Sequence, residues 1–429
     1  MALSSLLLVL LALVVIGCSG NNSSPATPAN AVLTVAFSST GALDGSNGPN
    51  VNSTSNIWVA KADHSGATPL TRLTASGATA QEPVWSPDGK KLVFVSLRAL
   101  DGTDAAIGAM NIWVMNADGT APVPLTHFTV RGILVWDPLW SPDGKKLAFV
   151  SSAALDGSDA LSTNSTVNVW VMNADGTGAT PLTRLTVNPA SPSWTSQRPV
   201  WSPDSTKLVF LSVGALDGSN ALNTNDVYNL WVAKADGAGV APLTRLTASG
   251  VYQSSPAWSP DGTKIAFMAQ RALGGTDTAD LAMNLWTINA DGSTAIPLTR
   301  YSSSGFLFYP VWSPDGHKLA FGSDRALDGS DAPNVNFTDN VWTINADGTG
   351  AFAVSRLTAS IVNSSAPMVW SPDGRQIAFP SSRAVDGSDA ANPSGGSNVW
   401  IFKADGSGAV PLTTLTSSTA GSTLPSWKP

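Results

Sequence analysis

In 429 residues the chain carries one cysteine, Cys18, one glutamate, Glu82, three histidines and only four tyrosines. A single cysteine excludes any disulfide within the chain. A single glutamate with scattered His64, His127 and His317 leaves no His-Glu zinc motif. Charged residues make up only 12%, while hydrophobic residues reach 43%. That balance is the reverse of the one that keeps chains disordered. The net charge of −7 argues against nucleic acid as a partner, since its phosphates need a basic face. No phosphate-binding loop, no G-x-S-x-G elbow and no G-x-G-x-x-G after a strand is found. No catalytic residue, metal site or cofactor is therefore implied, and no enzymatic role is expected.

Long apolar runs are also missing. Leu6 to Ile16 is apolar throughout, but eleven residues are too few to span a hydrocarbon core of ~30 Å as a helix. The run reads as the apolar stretch of a secretory signal, although no Lys or Arg precedes it. It ends in Val15-Ile16-Gly17-Cys18, which resembles the bacterial lipobox. The resemblance implies lipidation at Cys18, hence an exported protein held in the bacterial cell envelope, on its periplasmic or outer-surface side, by a lipid anchor alone. The expected division is a signal peptide over 1–17, a lipidated Cys and flexible tether over 18–31, and one folded unit over 32–429.

What is abundant is repetition. Asn-x-Trp ends at Trp58, Trp113, Trp170, Trp231, Trp286, Trp342 and Trp400, a mean period of 57. Trp-Ser-Pro-Asp starts at Trp85, Trp140, Trp201, Trp258, Trp312 and Trp370, with a truncated copy at Trp427. These positions take fourteen of the sixteen tryptophans, so the aromatic content belongs to the repeat. A third element carries Phe37, Phe94, Phe149, Phe210, Phe267, Phe321 and Phe379.

Each unit predicts four short strands. In the second unit, strand A covers Pro83 to Ser86 and Pro87-Asp88-Gly89 supplies a tight turn. Strand B covers Lys91 to Ser96, strand C Asn111 to Asn116, and strand D Pro124 to Thr126. Consecutive apolar positions such as Leu147 to Val150 call for strands buried on both faces. Stacked four-stranded sheets of this kind make a propeller or a solenoid. The chain begins its repeats at strand B and ends on strand A, so a line would expose a broken unit at each end. In a ring the two fragments complete one sheet. The prediction is all-β: a closed seven-bladed β-propeller of four-stranded antiparallel blades, with the C-terminal strand joining the N-terminal blade.

Trp85-Ser86-Pro87-Asp88-Gly89, Leu147-Ala148-Phe149 and Asn168 to Gly176 resemble the WD40-like (PD40) repeats of TolB-type propellers, over nearly everything after Ala31. The resemblance implies a periplasmic protein-binding platform, a sensor domain, or the gating propeller of a peptidase. TolB itself has six blades and an amino-terminal α/β domain, neither of which is legible here, and no residues are left over for a hydrolase domain.

In an antiparallel meander the A–B and C–D turns share one face, and the longer B–C and D–A connections share the other. Function is expected on the long loops. Aromatics outside the repeat positions fall in those segments: Trp136, Trp194, Tyr228, Tyr252, Tyr301, Phe306, Phe308, Tyr309 and Phe337. They are the candidate contacts for an envelope protein or peptide. A glycan, bound or cleaved as by seven-bladed polysaccharide lyases, is the alternative. The B–C loops repeat Asp-Gly-Ser/Thr-Asp/Asn, read as turns in preference to a Ca²⁺ loop.

Overall fold

In the computed structural model, the described residues are 33–46, 48–162, 166–186, 196–219, 221–334, 336, 338–359, 367–393, 395–417 and 421–429. The expected signal and tether, with Cys18, lie outside them. Twenty-eight strands form seven four-stranded sheets. Blade one consists of β28 (Ser422–Trp427), β1 (Thr34–Ser39), β2 (Asn56–Lys61) and β3 (Ala67–Pro69). Its inner strand thus comes from the C-terminal end of the chain and pairs antiparallel with β1, Val35 lying opposite Trp427. The other inner strands are β4 (Ala80–Trp85), β8 (Val135–Trp140), β12 (Ser196–Trp201), β16 (Gln253–Trp258), β20 (Leu307–Trp312) and β24 (Val369–Trp370). Short 3-10 turns are the only helical elements among the described residues. The expected ring closure and seven-fold repeat are what the structure shows.

The tryptophans of Trp-Ser-Pro-Asp explain why the ring closes. Each donates its indole N–H to the carbonyl of the residue preceding the equivalent tryptophan in the blade before. Trp140 donates to Val84 at 3.3 Å, and Trp201 to Leu139, Trp258 to Val200, Trp312 to Ala257 and Trp370 to Val311 at 3.1 Å. Trp427 donates to Val369 and Trp85 to Ser426, both at 3.1 Å, so the circle passes through the chain ends without a break. Each ring also buries its apolar body, which gives both adhesion and register.

The asparagine of Asn-x-Trp has a different task. Asn56 donates to the Leu73 carbonyl at 3.0 Å and accepts from the Thr71 hydroxyl at 2.9 Å and the Leu73 N–H at 2.7 Å. Asn111, Asn168, Asn229, Asn284, Asn340 and Asn398 repeat the pattern toward residues fifteen and seventeen positions on. A buried amide with both ends satisfied pins each D–A connection to strand C.

The Asp-Gly-Ser/Thr-Asp loops are turns, and they are also clasps between blades. Their first aspartate accepts from the N–H two residues on, as Asp101 does from Thr103 at 2.9 Å. Their second reaches the preceding blade, as when Asp104 accepts from the Thr74 N–H at 2.7 Å, the Thr74 hydroxyl at 2.8 Å and the Ala75 N–H at 2.9 Å. Asp159, Asp277, Asp331 and Asp389 do the same to Thr129, Thr247, Ser302 and Thr358. In blades one and four the matching residues are Asn47 and Asn220, outside the described residues.

Candidate functional site

Six inner strands share a defect three residues before their tryptophan. Glu82, Asp137, Arg198, Ser255, Tyr309 and Leu424 all have left-handed backbone, with φ of 56, 52, 56, 55, 48 and 60°. At each the ladder to strand B slips, for instance between Gln81 and Val84. A proline follows every one of them. Proline has no N–H to leave unpaired, so it suits a bulge, and a bulge re-aims the side chain beside it. Holding non-glycine residues here costs about 1–3 kcal/mol each, a strain that the surrounding sheets must impose.

Five of the six, all but Leu424, are linked around the axis of the ring. The Asp137 N–H donates to Glu82 Oε2 at 2.9 Å, linking blades three and two. Arg198 Nη1 donates to Ser255 Oγ at 2.9 Å. The same guanidinium lies 5.0 Å from the centroid of the Tyr309 ring, two blades on. A contact that skips blade five is made only through the central channel. Because strand A starts from the D–A connection, this cluster stands toward the long-loop face.

Its electrostatics are unusual for so sparsely charged a chain. Glu82 and Asp137 are each only 4% exposed. Burial, reinforced by the neighbouring Asp137 charge, pushes the Glu82 carboxyl well above the usual carboxylate range. Burial also raises Asp137, against the opposing pull of the Arg198 charge and N–H. Neither Asp137 oxygen completes a hydrogen bond. For Arg198, burial alone would lower the guanidinium, but Tyr309, Asp137 and Tyr252 hold it above its ordinary value. Both carboxyls are thus raised by burial, and the charge of Asp137 adds to the rise at Glu82.

The aromatic candidates divide around this cluster. Phe306, Phe308 and Tyr309 stack in series, with centroids 6.0 and 6.3 Å apart, and Phe306 is 61% exposed. Tyr252 is 44% exposed, close enough to influence both Arg198 and Tyr228. Tyr228 is half-buried against the core of blades four and five, and burial pushes its phenol up. Tyr301 is not part of this group: Arg325 stacks on it at 4.2 Å, and burial raises its phenol. Trp136 is half-buried and packs against the core of blades two to four. Trp136, Phe308 and Tyr309 belong to inner strands, whereas the repeat spacing predicts them in connections. Trp194 and Phe337 lie outside the described residues, as does Cys18.

Sequence reasoning missed Glu82, Asp137, Arg198 and Ser255 as site residues. A signal did exist: in the aligned repeats, the residue before a recurrent Pro-x-Trp varies among Glu, Asp, Arg, Ser, Tyr and Leu. Among the described residues, no group of three or more His, Cys, Asp or Glu side chains is arranged to hold a metal ion.

The arrangement is that of a β-propeller with a polar cluster in its channel and an aromatic rim at the long-loop mouth. No family model matches the chain. It is 27% identical over 224 residues to the Bacillus subtilis protein described as uncharacterized peptidase YuxL, across 46% of this chain and 31% of that protein. It is 28% identical over 122 residues to the Tol-Pal system protein TolB of Anaeromyxobacter dehalogenans, across 28% of this chain and 23% of TolB. The chain thus spans less than a third of either relative. Among solved structures, an oligogalacturonate lyase in complex with manganese superposes with a TM-score of 0.54 at 15% identity, over 86% of this chain and 90% of the lyase. At that identity the likeness shows the fold alone. The chain is a seven-bladed β-propeller that is similar, over part of its length, to TolB.

These relatives correct one expectation. The sequence reading assigned no enzymatic role, yet a peptidase stands among the relatives and a lyase shares the fold. A missing nucleophile or zinc motif does not separate this chain from catalytic proteins.

Proposed function

We propose that this propeller is a binding module of the bacterial cell envelope that captures a protein or peptide at the long-loop mouth of its channel. The observation that carries the reading is the stack of Phe306, Phe308 and Tyr309, exposed at its outer end and joined at its inner end to Arg198. Rigid aromatics beside an arginine are the side chains that dominate binding energy at protein interfaces. Tyr252 extends the rim, and the buried carboxyl pair stands beneath it. The B–C and D–A connections that carry the rim are braced by the asparagine and aspartate clasps, so the surface is held ready. Similarity to TolB, a protein of the Tol-Pal system, supports the envelope setting. Export with lipidation at Cys18 would place the module there, tethered by 18–31.

The test is a pull-down from detergent-solubilised envelope with the parent chain, Phe306→Ala and Tyr309→Ala. Loss of a rim anchor is expected to weaken capture by about 2 kcal/mol, roughly thirtyfold. A partner held equally well by all three proteins removes the rim from the interface. A glycan array run beside it reads out the carbohydrate alternative, and rim-dependent glycan binding there would replace the protein partner.

A further inference from the structure

Seven positions two residues after the end of strand B's constant core are equivalent: Gly41, Arg98, Ala153, Gly214, Arg271, Arg325 and Arg383. In three blades the arginine folds back over the Asn-x-Trp ring of its own blade. Arg98 lies 5.0 Å from the Trp113 centroid, and Arg271 and Arg383 lie 5.1 Å from those of Trp286 and Trp400. Each of these guanidiniums also donates to a loop glycine carbonyl, at Gly102, Gly275 and Gly387 respectively. Covered in this way, Trp113, Trp286 and Trp400 are 1, 0 and 0% exposed, whereas Trp231 of blade four is 4% exposed.

Blade four has everything but the guanidinium. Gly214 replaces the arginine, and a cavity of about 240 Å³ opens there between blades three and four, lined by Trp231, Gly214, Gly218, Leu185 and Arg184 among others. Gly218 corresponds to the accepting glycines. Its N–H closes the same turn, to Ala215 at 3.0 Å, as Gly102 does to Ala99 at 3.0 Å. Asp217 holds the Ser219 N–H at 2.9 Å, as Asp101 holds Thr103 at 2.9 Å and Asp386 holds Ser388 at 2.8 Å. Arg184 corresponds in sequence to Arg72, Arg245 and Arg356, each in the blade that precedes one of the three filled sites. Blade one, where Gly41 is the equivalent, is closed by a neighbour: a Cβ on Gly41 would meet Leu415 Cδ2 at 2.9 Å. In blade six Tyr301 takes Arg325 instead.

We propose that this groove between blades three and four receives a guanidinium group, presented as an arginine side chain of a partner chain and stacked on Trp231 with Gly218 as its acceptor. The three internal arginines define the ligand: planar, cationic and a hydrogen-bond donor. The acidic chain favours the approach of such a group. The inference stands independently of the channel mouth.

Ethylguanidinium is the probe, with neutral ethylurea as its isostere, and the Trp231 indole N–H resonance is the readout. Ethylguanidinium is expected to shift that resonance saturably with a midpoint in roughly the millimolar range, and ethylurea to bind about tenfold more weakly. Gly214→Arg fills the groove from within and should abolish the shift. A Cβ there meets only ordinary contacts, Ser212 Oγ at 3.4 Å and Leu185 Cδ2 at 3.5 Å, so the variant is sterically tolerated. As a second arm, Arg98→Gly should create a new saturable site reported by Trp113. No shift at Trp231, equal binding of ethylurea, or an unchanged response in Gly214→Arg would each overturn the assignment. If Gly214→Arg does not fold, absence of a new site in Arg98→Gly does so as well.

Discussion

Replacing Trp427 with alanine tests whether the two ends of the chain hold the ring shut. Trp427 is fully buried and packs with Phe37, Trp58 and Val369. A tryptophan ring buries about 150–250 Å², which at ~25 cal/mol/Å² gives an upper bound of about 4–6 kcal/mol. Measured costs of emptying such a site run near 3–5 kcal/mol. The Val369 carbonyl also loses its indole donor, which adds about 1 kcal/mol. Trp427→Phe keeps most of the apolar body and loses the hydrogen bond, so about 1–2 kcal/mol is expected. Trp258→Ala, with the same contacts in the middle of the chain, is the control. Both alanine variants should lose stability in urea titrations. Only Trp427→Ala should also speed amide exchange along β1, because its inner strand is attached to blade one by hydrogen bonds and packing alone. If Trp427→Ala loses less than about 1 kcal/mol and leaves β1 exchange unchanged, the closure is not held as described.

Asn168→Ala should cost about 2–3 kcal/mol in chemical denaturation, because the Thr183 hydroxyl and Leu185 N–H lose a buried acceptor. Glu82→Gln probes the proton held by the raised Glu82 carboxyl. The folded state binds that proton more tightly than the unfolded chain does, so the contribution of Glu82 is complete in acid. It is lost as pH rises from the unfolded carboxylate value, near 4.3, through the raised value in the fold. The variant should therefore be stabilised relative to the parent at neutral pH and flatten the stability–pH curve above pH 5; parallel curves would show that Glu82 does not titrate in this way. Calcium should leave the melting temperature unchanged, since the loop aspartates already accept protein N–H groups. Asp159→Ala should loosen blade two against blade three by about 1 kcal/mol or less, read by denaturation, because the clasp is solvent-exposed.

The repeat made the architecture legible from one dimension. Strand order, turn positions and blade number follow from spacing, because a sheet that is apolar on both faces has few ways to be covered. Closure followed from the two fragments at the ends, a purely topological argument. The purposes of the repeated residues were not legible in the same way. Trp85 and Trp113 look alike in sequence, yet one donates a hydrogen bond to the neighbouring blade while the other leaves its N–H unpaired beneath an arginine.

The channel cluster was hidden for a physical reason. Successive members of the set Glu82, Asp137, Arg198 and Tyr309 are separated by between 55 and 111 residues, and no local pattern ties them together. Only the left-handed bulge before each proline turns them inward, and only the closed ring sets Arg198 beside Tyr309 across the axis. Sequence periodicity alone decided what folds; chemistry at the axis and the empty place beside Trp231 were decided by which blade stands next to which.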